Sequence, residues 1–108
     1  MSDEMEKQLA VLREKYLASL PSKVNGIRSL WVNILKDKDL LGVDDMHRMA
    51  HSISGSGATF GATQVSQSAK SLENYIKACI SDECVFEAEN ISQIETLLSD
   101  LEGFVSEG

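Results

Sequence analysis

Apolar residues recur every three or four positions through five successive stretches of this 108-residue chain. That spacing is the period of an amphipathic helix, and no run alternates Val, Ile and Thr in the manner of a strand. The first stripe is Met5, Leu9, Leu12, Tyr16 and Leu20; the second is Val24, Ile27, Trp31 and Ile34 with Leu35. A third runs through Val43, Met46, Ala50, Ile53, Gly57 and Phe60, and a fourth through Val65, Ala69, Leu72, Ile76 and Cys79. The last carries Val85, Ile91, Ile94, Leu98, Leu101 and Val105. The single proline, Pro21, lies in the break at Ser19 to Lys23 and suits the first turn of a new helix, where its missing N–H is not needed. Lys36 to Asp39 and Gly42 mark the next connection, Asp44 is the candidate N-cap of the third helix, and Gly61 permits a stop and turn. Ser81-Asp82 would cap the last helix. Short links between such helices predict antiparallel neighbours in an all-α, up-down bundle.

The chain is long enough for one domain with a real core and too short for two. Its 17 acidic and 10 basic side chains give a net charge of -7, which disfavours binding to nucleic acid or to anionic membranes. The charge is not evenly spread. Residues 82–108 hold eight acids and no Lys or Arg, so residues 1–81 hold nine acids against ten bases. The acidic last helix reads as a solvated face. No segment is apolar enough for a membrane span, and the acidic N-terminus lacks the order of a signal peptide. Cys79 and Cys84, with four residues between them, do not form a CxxC pattern and read as thiols in a reducing cytoplasm.

The segment with chemical interest is Ala50 to Gly61, where three glycines and three serines make a poor helix by propensity while the apolar residues keep helical phase. On a helical wheel, Ala50, Ile53, Gly57 and Phe60 face inward, and His51 shares the outer side with Ser54, Gly55 and Ala58. The histidine thus stands on a flat surface where a partner could press its own active site. An imidazole is a nucleophile near neutral pH, and phosphoryl transfer asks of its acceptor little beyond in-line positioning and charge stabilisation. A bundle with one exposed histidine is suited to carrying a phosphoryl group without kinase or hydrolase machinery of its own. Neither a metal cage nor a phosphate-binding glycine loop is evident. His47 and His51 have the i, i+4 spacing of helical metal ligands but no obvious third ligand, so no metal is expected.

The run from Ala50 to Ala62 resembles the signature of histidine-containing phosphotransfer (HPt) domains, roughly Ala-His-x-Leu-Lys-Gly-Ser-x-x-x-apolar-Gly. Ala50, His51, Ile53, Gly55, Ser56, Phe60 and Gly61 occupy matching positions, and Val65, Ala69 and Leu72-Glu73 continue the rhythm. Residues 1–108 would then be a single HPt-like domain, a four-helix up-down bundle with an additional short N-terminal helix. The resemblance implies that His51 takes a phosphoryl group from a receiver-domain aspartyl phosphate and passes it to another receiver. It further implies a cytoplasmic two-component phosphorelay whose partners are response-regulator receivers and a hybrid sensor histidine kinase. No cofactor is expected on this chain; Mg2+ would sit on the partner receiver. A monomer is expected, because the docking face of His47, Ser54, Gly55 and Ala58 must stay accessible.

One position departs from the pattern. The family usually has Lys three residues after the histidine, where this chain has Ser54. Candidates for supporting the phosphoryl group are Ser54 through its hydroxyl, Gly55, Arg48 one turn before His51, and Lys70 and Lys77 on the following helix. The departure keeps a second reading open, that of a non-catalytic HPt-like module that binds a partner without carrying phosphate. Residues 46–81 contain Arg48, Lys70 and Lys77 against Glu73 alone, a local excess of two positive charges with both histidines neutral. That balance suits visiting phosphate.

Overall fold

The computed structural model describes residues 2–81 and 87–107. Among these, the chain forms four helices: α1 (Ser2–Asp37), α2 (Leu40–Thr59), α3 (Thr63–Ser81) and α4 (Ala88–Glu107). Their apolar stripes meet in one core, with Ile27, Trp31 and Ile34 of α1 buried against Met46, Leu72, Ile76, Ile94, Leu98 and Leu101. Trp31 is 1% exposed, and its indole N–H still finds a partner, donating to Glu95 at 3.1 Å. Contacts join α1 to α2 at two levels. Tyr16 of α1 meets Ser56, while at the other end Gly42 lies against Ile34. Between α2 and α3, Ser66 meets Ser54 and Glu73 meets His51.

The junctions explain where the helices stop. Lys38 takes a positive φ of 52°, which turns the chain out of α1. Asp39 then caps α2 by accepting from the Leu41 amide at 3.0 Å. The helix therefore starts before Asp44, the cap expected from sequence, and Gly42 belongs to it rather than to a linker. A Cβ at Gly42 would come within 2.8 Å of Ile34, so the residue permits a close helix crossing. At the far end of α2, Gly61 has a φ of +76°. The Ala62 amide bonds back to Gly57 at 2.8 Å, closing the helix as the glycine led us to expect.

The separate short N-terminal helix does not exist. α1 continues through Pro21 for 36 residues. Proline removes one donor, the N–H that would reach the Leu17 carbonyl. Pro21, Ser22 and Lys23 are all exposed, so the lost bond faces water. Tyr16, Leu20, Val24 and Ile27 on the opposite side are buried in the core and hold both halves in one line. The first apolar stripe divides instead by burial. Tyr16 and Leu20 are in the core, whereas Met5, Leu9 and Leu12 are at least half exposed. The expected positions of Val85 and of the Asp82 cap, like Cys84, fall outside the described residues.

Nor is α4 merely a solvated acidic face. Arg28 of α1 reaches Glu95 at 2.7 Å and Glu102 at 2.6 Å, with Glu95 also accepting from Trp31. Two carboxylates hold the guanidinium above its ordinary pKa, the hydrogen bond to Glu102 contributing most. No helix among the described residues is long and apolar enough to cross a membrane. Because Pro21 sits on the solvent side of an otherwise regular helix, Pro21→Ala is expected to stabilise the protein by about 1–3 kcal/mol. Thermal or urea unfolding followed by circular dichroism measures this. An unchanged or lower stability would mean that α1 does not run straight through this position.

Candidate functional site

His51 lies near the middle of α2 with its side chain 68% exposed, and its Nδ1 is 2.6 Å from Oε2 of Glu73 on α3. Glu73 is the opposite case, 6% exposed and the one charged residue buried in the core among the described residues. Its apolar neighbours in the α3 stripe, Leu72 and Ile76, carry it inward, and the histidine meets it at the helix seam. Burial pushes the Glu73 carboxyl up. The His51 hydrogen bond, with the charges of His51, Lys70 and His47, outweighs this and leaves it below the ordinary value. A carboxylate accepts only, so Nδ1 of His51 is the protonated nitrogen and donates. In the neutral ring this assigns the lone pair to Nε2, the nitrogen without a carboxylate partner.

The ground around the imidazole is low, as the wheel predicts. Gly55 and Ala58 are exposed, and a Cβ built on Gly55 meets nothing within 4 Å. Gly57, one residue from Ala58, has the opposite surroundings. Its Cβ would lie 3.2–3.3 Å from the Cβ, Cα and N of Ser66, so the absent side chain lets α2 and α3 close on each other. Ser66 completes the seam by donating its hydroxyl to the Ser54 carbonyl at 2.6 Å. Ser56 serves the scaffold. Its hydroxyl donates to the Ser52 carbonyl at 2.8 Å and accepts from Tyr16 of α1, also at 2.8 Å. The Tyr16 ring stacks on Phe60 with centroids 4.7 Å apart.

Of the candidate cations, one reaches the site. Lys70 Nζ is 3.6 Å from Oε1 of Glu73 and 55% exposed, placing a positive charge on the carboxylate that holds the histidine. Arg48 is turned to its own helix and paired with Asp44 at 3.0 Å. Lys77 is exposed a turn beyond Glu73 and outside this set of contacts. Ser54 is half-buried three residues after His51, at the position the sequence pattern gives to Lys. His47 is 23% exposed, with Nε2 3.9 Å from the same Glu73 oxygen that holds His51. That Nε2 and Oε1 of Glu73 are buried without a hydrogen-bond partner.

Two histidines and a carboxylate thus converge, yet no group of His, Cys, Asp and Glu among the described residues is placed to hold a metal ion. The chemistry agrees with the geometry. Glu73 already binds the ring nitrogen directly at 2.6 Å, which leaves no room for an ion between them, and Lys70 adds a repelling charge. From sequence, Glu73 stood only in the Leu72-Glu73 rhythm and in the local charge count, whereas the structure makes it the buried partner of His51. Its signal was present: one acid beside Leu72 in the apolar stripe of α3.

A comparison with curated proteins and one with solved structures give no match. A family model does match, that of the Hpt domain, over residues 3–104. The match spans all four helices, including the seam that holds His51 against Glu73. The chain belongs to the Hpt domain family, the histidine phosphotransfer modules of two-component signalling.

Proposed function

We propose that this protein is a phosphorelay carrier in which His51 accepts a phosphoryl group from a receiver-domain aspartyl phosphate and passes it to another receiver. The observation that carries the reading is an exposed imidazole whose Nδ1 is tied to a buried carboxylate 2.6 Å away. In the forward step the Nε2 lone pair bonds to phosphorus as the phosphorus–oxygen bond to the aspartate breaks, and the aspartate leaves as a carboxylate. The Nδ1 proton stays in place. The ring becomes a phospho-imidazolium, and the Glu73 carboxylate offsets its positive charge. The reverse step retraces these atoms to a receiver aspartate.

The rest of the machinery would come from the partner. Mg2+ and the phosphorylatable aspartate belong to the receiver, which docks over Gly55 and Ala58 with Ser54 and the rim of His47 at its edge. Receivers of response regulators or of a hybrid sensor kinase are the fitting class. The four helices read as an antiparallel up-down bundle acting in the cytoplasm. Lys70 supports the phosphoryl group in place of the usual lysine, whose position Ser54 fills.

Incubation with a phosphorylated receiver and Mg2+ is expected to give acid-labile, alkali-stable label on the protein. His51→Gln should abolish it. Glu73→Gln should slow it roughly tenfold, the difference of about 1.4 kcal/mol between a charge-assisted and a neutral hydrogen bond. Label retained in the His51 variant would overturn the assignment. Receiver binding without label in the wild type would instead favour the non-carrying module that Ser54 raises.

Lys70→Ala should lower the transfer rate or shorten the phosphohistidine lifetime several-fold, while Arg48→Ala, which breaks only the pair with Asp44, should leave both near wild type. Rapid-quench kinetics on the two variants decides between the cations. Gly55→Leu should block transfer by filling the docking surface. Since nothing lies within 4 Å of its Cβ, it should keep or raise the melting temperature. Unimpaired transfer in that variant would move the docking surface elsewhere.

A further inference from the structure

Among the described residues the N-terminal part of α1 stands clear of the core, with Arg13 at the edge of the groove lined by Gly61 to Val65. Every residue from Asp3 to Lys15 is exposed, although the whole segment is helical. At 1.5 Å per residue α1 rises about 54 Å, against about 30 Å for each of the other helices. The molecule is 54 Å long and 21 Å across, so α1 alone sets its length. Tyr16 is already level with Ser56 and Phe60, and the residues before it extend as an arm past the Gly61 turn. An isolated helix of this length would be marginal in water. Here it grows from a packed helix that supplies the nucleus.

The arm carries a seam. Met5, Leu9 and Leu12 are 64%, 56% and 50% exposed, and with Tyr16 they follow the four-three-four spacing of a heptad stripe. The charges beside the seam identify its occupant. Acids lead the arm, with Asp3, Glu4 and Glu6 against Lys7, and bases follow, with Arg13 and Lys15 against Glu14. An antiparallel second copy sets the acidic half of each arm on the basic half of the other, whereas a parallel copy sets like on like. With Leu9 facing Leu12 of the second copy, Glu6 comes beside its Arg13, and the two-fold axis makes that pair twice.

We propose that the arm is a self-association site through which two copies of this chain pair antiparallel along Met5, Leu9 and Leu12, with Glu6 opposite Arg13 of the second copy. The bundles then lie at opposite ends of the paired arms. His51, on the far side of Ser56 from the arm, stays open to a docking protein. The seam is short against the ~1,000 Å² that a specific interface needs, so the dimer is weak and depends on concentration. On this proposal the chain is not the simple monomer expected from its sequence.

Sedimentation velocity from micromolar to millimolar protein should show the mass moving toward that of a dimer. Leu9→Glu should hold the protein monomeric with an unchanged melting curve, since Leu9 contributes nothing to the bundle core. Glu6→Arg and Arg13→Glu should each weaken the dimer on the order of tenfold, and the double reversal should restore it. A wild-type monomer at every concentration, or a dimer indifferent to Leu9→Glu, would overturn the proposal. A double reversal that fails to restore pairing would also overturn it, and would assign the seam to a different occupant.

Discussion

The close approach of α2 and α3 at Gly57 is the constraint on which the site rests. With no side chain at that position, the two helices sit near enough for the Ser66 hydroxyl to reach the Ser54 carbonyl. Two turns along the seam, the same separation lets Glu73 span to His51. A wider gap would leave Glu73 as a buried, unpaired carboxylate, among the most destabilising arrangements a core can contain. The glycine that looks like a weakness in helix propensity is thus what permits a charge to be buried and used.

The molecule divides its work between two seams. The α2–α3 seam carries the chemistry. On the opposite side, α1 and α4 are fastened by Arg28, Glu95, Glu102 and the Trp31 indole, a network that ties the acidic last helix to the core without touching the histidine. Half of the question raised by the acidic C-terminal region is answered there. Two of its carboxylates neutralise an arginine of the first helix, away from the seam that holds His51.

Much of this was legible in the sequence. Helical phase through Val43 to Phe60 placed Ala50, Ile53 and Gly57 inward and left His51 on an open face, because burial follows the 3.6 period whatever the local propensity. Gly61 announced the turn because only a residue tolerant of positive φ fits there. Local signals misled where tertiary packing outweighed them. Pro21 looked like a helix start, yet its ring faces solvent and the apolar residues flanking it hold the helix through. Asp44 had the right chemistry for a cap, but Asp39 follows the positive-φ Lys38 and so occupies the point where the chain enters the helix. The burial of Glu73 was not legible, because a charge turned into the core makes sense only with its partner on another helix. The exposure of Met5, Leu9 and Leu12 was equally hidden, since periodicity gives a face and not what covers it.

The Glu73 tether also has a proton-linked side. Its carboxyl is held below the ordinary 4.5 despite burial, because the bond to His51 and the nearby positive charge favour the ionised form. A group depressed in this way contributes stability that is fully present above its unfolded value and is lost as pH falls through the lower folded one. Mild acidification therefore leaves the ring anchored, with Nδ1 still engaged. Only in stronger acid does the carboxylate take up a proton, and the same event that frees the imidazole to rotate withdraws the stabilisation Glu73 gave to the α2–α3 seam. Orientation of the ring and the share of stability that Glu73 contributes are thus linked to one titration.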